Sequence, residues 1–228
     1  MARAMAQAER LYVVTPLSEK TAEWTASIAS AAKKAGIKHI VKLSGSGAEL
    51  EPGIQIGRWH RAAERHIEAT GIDWTFLRPV SFMQNFLMSA ATIKSQGAFY
   101  NPVGDAKVSY VDVRDIGDVA AAVLTNEGHA GKAYTLTGPQ AITNLEIAES
   151  IGRAIGKTVK YVQVPLEKAR ETMLGFGMER AVVDGLVELL SIQAAGQVGS
   201  VSSNTETLLG RRARDFAAFV ADNAAAFG

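Results

Sequence analysis

His60 and Glu64 are four residues apart in the run IGRWHRAAERHIE, 56–68. On a helix that spacing puts both side chains on one face, where a carboxylate can orient an imidazole. An imidazole titrates near neutrality and can donate a proton or hold a polar atom of a ligand. A surface ion pair is the bland alternative. Ser44 closes the apolar run IKHIVKLS, 37–44. Its hydroxyl could donate to a carbonyl, or simply bond the local backbone. Arg78-Pro79 leads into Phe82, Met83, Asn85 and Phe86. Apolar side chains with one amide suit a flat, mostly apolar ligand, although Phe82, Phe86 and Leu87 at helical spacing also read as core. Trp59 is the tryptophan expected to line a pocket.

Other candidates carry less. The stretch KLSGSGAELEPG, 42–53, offers Gly45 and Gly47 as the first two glycines of a dinucleotide turn, but Leu50 stands at the third place. Glu49 and Glu51 would repel phosphate, and Glu51-Pro52-Gly53 blocks an immediate helix. No Gly-Lys-Ser/Thr is present for a P-loop. The stretch therefore reads as a flexible loop at the carboxyl end of a strand, where ligand crevices of open α/β sheets form. No Gly-x-Ser-x-Gly elbow exists for a nucleophilic serine. Asp112 and Asp115 resemble a carboxylate pair, but Asp115 reads as the N-cap of the helix that follows and Asp112 as a brace for the same turn. His39, His66 and His129 have no second ligand at metal spacing, and no metal is expected.

These residues need a scaffold, and the composition bounds it. The chain has 228 residues, 47% hydrophobic and 21% charged, with a formal net charge of +1. Such a balance gives no bulk attraction to nucleic acid or to an anionic membrane. There is no cysteine, which removes thiolate chemistry and disulfides and fits a reducing cytoplasm, the expected location. The N-terminus lacks the long apolar core of a signal peptide, and no run approaches a membrane span of ~20 residues. A small-molecule substrate is the expected partner.

RLYVVT reads as a strand buried on both faces and IKHIVKLS, DWTFLRP and KAYTLTG as further strands, with helices over 18–35, capped by Ser18, and 56–71. This β-α-β order predicts parallel strands joined by crossover helices. Short strands are expected in GAFYNP, KVSYVDV and KYVQVP. Thr143 and Glu146 form a capping box. Arg211, Arg212 and Arg214 read as a solvated start to a final helix over about 213–226. The fold class is α/β: a partial Rossmann-like parallel sheet with flanking helices, plus a small C-terminal α/β substrate-side region. Residues 1–138 are expected to form the core and 139–228 the C-terminal segment.

The motifs TGIDWTFLRPVSFMQNF and VSYVDVRDIGDVAAAVL, with GKAYTLTGP, are similar to the NmrA-like branch of the atypical short-chain dehydrogenase/reductases. The quinone-oxidoreductase-like members are most alike. The resemblance implies NAD(P)H as cofactor, with hydride transfer to a quinone or similar conjugated carbonyl. It places Thr15, Pro16 and Pro79 beside the cofactor, and Phe82, Met83, Asn85 and Trp59 beside the substrate. It implies that His60, where many members carry Lys or His, and Ser44, where the wider superfamily has its active-site serine, act in catalysis. The usual Tyr-x-x-x-Lys pair does not occur. Family members begin with a glycine-rich βαβ unit that holds the pyrophosphate, and that unit has no counterpart here. Strand 10–15 would then be a sheet edge open to a second copy, a homodimer contact. Two other readings stay open: a cofactor-free isomerase, cyclase or dehydratase acting through His60 on a flat apolar molecule, and a non-enzymatic binding or regulatory protein.

Overall fold

The computed structural model describes residues 5–228. In chain order the elements are β1 (Arg10–Val13), α1 (Thr21–Ala35), β2 (His39–Leu43), α2 (Gln55–Glu68), β3 (Asp73–Pro79) and β4 (Ser81–Phe82). A 3₁₀ segment, Met83–Ser89, leads into α3 (Ala90–Gln96), β5 (Ala98–Asn101), β6 (Tyr110–Val111), α4 (Val113–Thr125) and β7 (Lys132–Leu136). Then come α5 (Asn144–Ile155), β8 (Lys160–Gln163), α6 (Leu166–Gly175), α7 (Arg180–Ala194), α8 (Asn204–Leu209), α9 (Phe216–Asp222) and α10 (Ala224–Phe227).

The four long apolar runs make one parallel sheet in the order β1-β2-β3-β7. Alternate residues serve opposite faces. Val13, Ile40 and Phe76 meet Ala29, Ala32 and Ile67 of α1 and α2. Val41, Leu77 and Leu136 meet Val119, Ala120 and Val123 of α4. Both faces are thus covered, as parallel sheets require. Among the described residues, β1 pairs on one side only. Arg10 reaches from β1 to the carbonyls of Leu124 and Asn126, placing a cation at the C-terminal end of α4.

A second core lies beyond β3. The parallel pairs β4–β6 and β5–β8 surround it. Phe86 sits at its centre, with edge contacts to Phe99, Tyr110 and Phe216 at ring distances of 5.8, 5.2 and 5.3 Å. Ile147, Ile151, Phe219 and Phe227 close it from α5, α9 and α10.

The capping box of Thr143 and Glu146 is present at the start of α5. Four local expectations need correction. The helix expected from Ser18 begins at Thr21, because Ser18 Oγ accepts from Lys20 N and Thr21 Oγ1 donates to Pro16 O, forming a turn instead. Asp112, not Asp115, caps α4 by accepting from Arg114 N at 2.9 Å. Of the arginines before α9, Arg212 is exposed as expected, but Arg211 and Arg214 are not a merely solvated helix start. Asp115 is fully buried, accepts from Arg211 Nη2 at 2.8 Å and Arg214 N at 2.7 Å, and pairs with the Arg214 guanidinium. The final helix is broken in two at Asn223, whose side-chain amide donates to Phe219 O at 2.7 Å.

The Asp115 site ties the C-terminal segment to α4. Replacing a buried ion-pair partner with a small apolar residue strands the opposite charge and typically costs about 3 kcal/mol or more. Asp115→Ala is therefore expected to lower the unfolding free energy by about 3 kcal/mol in urea titrations. A loss below about 1 kcal/mol, the worth of a surface pair, would show that the arginines hold nothing together.

Candidate active site

The carboxyl ends of β2 and β3 lie side by side, and Glu64 ties them together from α2. Its side chain is 0% exposed. It accepts from Ser44 Oγ at 2.7 Å, from Arg78 Nε at 2.9 Å and Nη2 at 2.7 Å, and from Arg61 Nη1 at 3.2 Å. Burying a carboxylate without such donors would cost several kcal/mol. The α2 helix can approach this closely because glycine stands where its backbone meets the loop. A Cβ on Gly57 would lie 2.9 Å from Gly47 O. The N-terminus of α2 is held by α7, where Glu188 Oε2 accepts from Gln55 N.

His60 lies on the same helix but does not bond Glu64, which Ser44, Arg61 and Arg78 occupy instead. The expected orienting contact is absent. The His60 ring rests against Gly45, where a Cβ would come within 2.8 Å of Cδ2. Its Nδ1 is buried without a partner. Burial, and then the charge of Lys42, push its pKa down to about 3. The ring is a neutral imidazole at physiological pH. Thr15 Oγ1, just past β1, is a second buried polar atom without a partner. Pro79 ends β3, and its carbonyl accepts from Ser46 N. Pro16 is exposed, and its carbonyl accepts from Thr21 Oγ1.

In the glycine-rich stretch after β2, the amides of Ser44, Ser46, Ala48 and Leu50 donate to protein carbonyls. Its acidic residues meet arginines, Glu49 pairing with Arg78 at 3.1 Å and Glu51 with Arg65 at 3.1 Å. Gly45 serves the packing of His60 rather than a ligand's approach.

Lys42 was not among the expected site residues. It is 0% exposed, and its Nζ donates to Leu43 O at 2.8 Å. Burial lowers its pKa to about 8, a shift that Glu64 partly opposes. The signal was present: a lysine inside a parallel strand covered on both faces has no solvent side to reach.

Two residues past Pro79, the chain enters the wall of a cavity of about 660 Å³. Its lining is mostly apolar and includes Phe86, Phe99, Phe176, Met88 and Met173. Asn85 lines it. Phe82 packs instead in the α4 core, and Met83 is buried in the second core. Trp59, Ser44 and His60 do not line it. The structure thus sets Ser44, His60 and Pro79 about the loop after β2, with Thr15 at the same end of the neighbouring β1, and two residues past Pro79 the chain enters a mostly apolar chamber at Ser81. Such a chamber is within the usual size of small-molecule sites. Of the other three histidines, His39 Nε2 bonds Thr75 Oγ1 at 2.9 Å, His129 Nδ1 bonds Tyr134 Oη at 3.0 Å, and His66 is exposed on α2. Among the described residues no group of carboxylates and histidines could hold a metal, and no helix is long and apolar enough to cross a membrane.

Comparison with known proteins places this geometry. The sequence profile of the NmrA-like family matches residues 1–219. Over 225 residues the chain is 40% identical to an NAD(P)H azoreductase of Xenophilus azovorans, covering 99% of this chain and 79% of that protein. The NADPH-dependent quinone oxidoreductase QOR2 of Escherichia coli, solved with NADPH, superposes with a TM-score of 0.85 at 25% identity, covering 98% and 80% of the two chains. A Citrobacter triphenylmethane reductase solved with NADP(H) gives 0.83 at 26% identity, covering 98% and 79%.

Lys42 makes a pH prediction. The folded protein releases this proton near pH 8, while the unfolded chain holds it to about 10.5. Between those values the unfolded state binds more protons, so stability gains with rising pH. Relative to Lys42→Met, the wild-type unfolding free energy is expected to rise by up to roughly 3 kcal/mol across that window. Parallel pH curves for the two proteins would mean that Lys42 keeps an ordinary pKa.

Proposed function

The chain belongs to the NmrA-like family, and from that premise we propose that it is an NAD(P)H-dependent reductase of a quinone or similar small conjugated acceptor. The observation that carries the reading is the mostly apolar cavity of about 660 Å³ whose wall begins at Ser81, two residues past the carboxyl end of β3. In open α/β sheets the crevice at such strand ends takes the ligand. The reported relatives are reductases, which favours hydride transfer over the cofactor-free and regulatory readings.

The bound nicotinamide supplies the hydride. One hydride and one proton from solvent convert the quinone into its hydroquinone, with oxidised nicotinamide as the second product. The chain's own residues orient and enclose. Thr15 Oγ1 and His60 Nδ1 are buried polar atoms with no partner. Each such orphan costs about 1–3 kcal/mol until something bonds it. This fits a ligand with polar groups at the strand ends, and we assign Thr15, Pro16 and Pro79 to the nicotinamide side. His60 acts there as a neutral hydrogen-bonding group and not as an imidazolium acid. Ser44 acts through Glu64, which its hydroxyl donates to, and so is a positioning residue. Asn85 faces the acceptor in the cavity. Four amides of the 44–53 loop, those of Ser44, Ser46, Ala48 and Leu50, are already spent on protein carbonyls, and Glu49 and Glu51 would repel phosphate, which supports reading the loop as no phosphate site. We therefore assign no dinucleotide phosphate loop to the described residues and expect weak NAD(P)H affinity.

The direct test is consumption of NADPH or NADH with 1,4-naphthoquinone, followed by loss of reduced-cofactor absorbance. Turnover that rises with quinone and stays unsaturated in cofactor is expected. Thermal melts should shift upward progressively with cofactor concentration, staying well below the ~2.7 kcal/mol that a ligand at 100 times its dissociation constant would give. Neither turnover nor a shift at any soluble concentration of either cofactor would dispose of the reading.

A further inference from the structure

The cavity wall holds a polar feature that the family resemblance did not point to. Strands β4 and β6 pair in parallel, with Ser81 opposite Tyr110 and Phe82 opposite Val111. Register partners in a sheet project to the same side. Phe82 and Val111 turn into the α4 core. Ser81 and Tyr110 turn the other way, and both line the cavity. They are 7% and 5% exposed, so nine-tenths of each is buried.

Their hydroxyls are free to donate. Gln193 Nε2, from α7, donates to Ser81 Oγ at 2.8 Å, which uses a lone pair and leaves the Ser81 proton without an acceptor among the described residues. The Tyr110 hydroxyl makes no hydrogen bond to any described residue, while its ring is held edge-on against Phe86 at 5.2 Å. The backbone beneath it is fixed. Gly138 N donates to Tyr110 O at 2.9 Å, and a Cβ on Gly138 would come within 2.2 Å of that oxygen. Buried tyrosine hydroxyls usually find a partner. This one, in a mostly apolar chamber, is a rigid donor facing the space a ligand would fill.

We propose that the Ser81 and Tyr110 hydroxyls form the acceptor-recognition subsite, donating hydrogen bonds to the carbonyl oxygen of a flat, conjugated, quinone-type molecule. The proposal rests on the reductase reading of the cavity and specifies its substrate chemistry. Burial raises the Tyr110 pKa far above the ordinary phenol value, so the group stays protonated and serves as a donor, not as a base. It loses no proton in this role. With Ser81 as a second donor, the subsite would favour a conjugated carbonyl over a bare hydrocarbon of the same outline, because the hydrocarbon displaces water from both hydroxyls and offers no acceptor in return.

Calorimetric titration with 1,4-naphthoquinone and with naphthalene, which has the same rings without the oxygens, separates the possibilities. The wild type is expected to bind the quinone more tightly than the hydrocarbon. Tyr110→Phe should lose about tenfold in quinone affinity, the worth of one buried hydrogen bond, and keep its naphthalene affinity. Ser81→Ala should fall in the same direction. Because the phenol makes no bond to the protein, Tyr110→Phe should melt no lower than wild type, which separates recognition from folding. Unchanged quinone affinity in both variants would overturn the subsite while leaving the cavity assignment standing. A wild type that binds neither probe would overturn both.

Discussion

A carboxylate that has lost all its water must be given donors in fixed places, and Glu64 imposes that requirement on three elements at once. Its oxygens take bonds from Ser44 at the end of β2, from Arg78 near the end of β3 and from Arg61 on its own helix. The arrangement sets how deeply α2 seats against the sheet. That depth in turn presses Gly57 onto Gly47 and the His60 ring onto Gly45. The glycines of the loop are thus explained by close packing and not by phosphate. Lys42, buried in β2, adds a positive charge that favours the neutral state of His60.

From this anchored end, β3 carries its rigidity into the cavity. Pro79 belongs to the strand-end cluster, and Ser81, two residues later, already belongs to the chamber wall. The second core behind that wall is aromatic and tightly crossed, with Phe86 touching three other rings. Asp115 and its arginines lock the last segment over it. Strand ends and chamber are therefore held in one fixed relation. A reaction that needs two molecules placed against each other gains most from such an arrangement, because orientation supplies much of the rate.

The chemistry divides accordingly. The strand-end cluster holds unpartnered polar atoms and a neutral imidazole, suited to bonding a ligand's polar groups. The chamber is apolar, suited to a flat ring system. No residue in either place has the geometry of a nucleophile with its base, consistent with a protein that positions reactants and leaves hydride chemistry to a cofactor.

Much was legible from the sequence alone. The four buried strands, the crossover order and the capping box at Thr143 all follow from local pattern, since hydrophobic periodicity and caps are properties of a few neighbouring residues. The family motifs were equally local. What the sequence misassigned were groups whose partners lie far along the chain. Asp115 looked like a cap because the arginines it binds are about a hundred positions away. Glu64 looked like the partner of His60 because they share a helix face, yet Arg78 from β3 reaches it instead. Ser81, Tyr110 and Gln193 gave no signal, because three separate segments meet only at the cavity. Short-range order is written in backbone preference and burial pattern. Which hydroxyl is left without a partner, and which charge is left without water, is decided only when distant segments compete for the same donors and the same space.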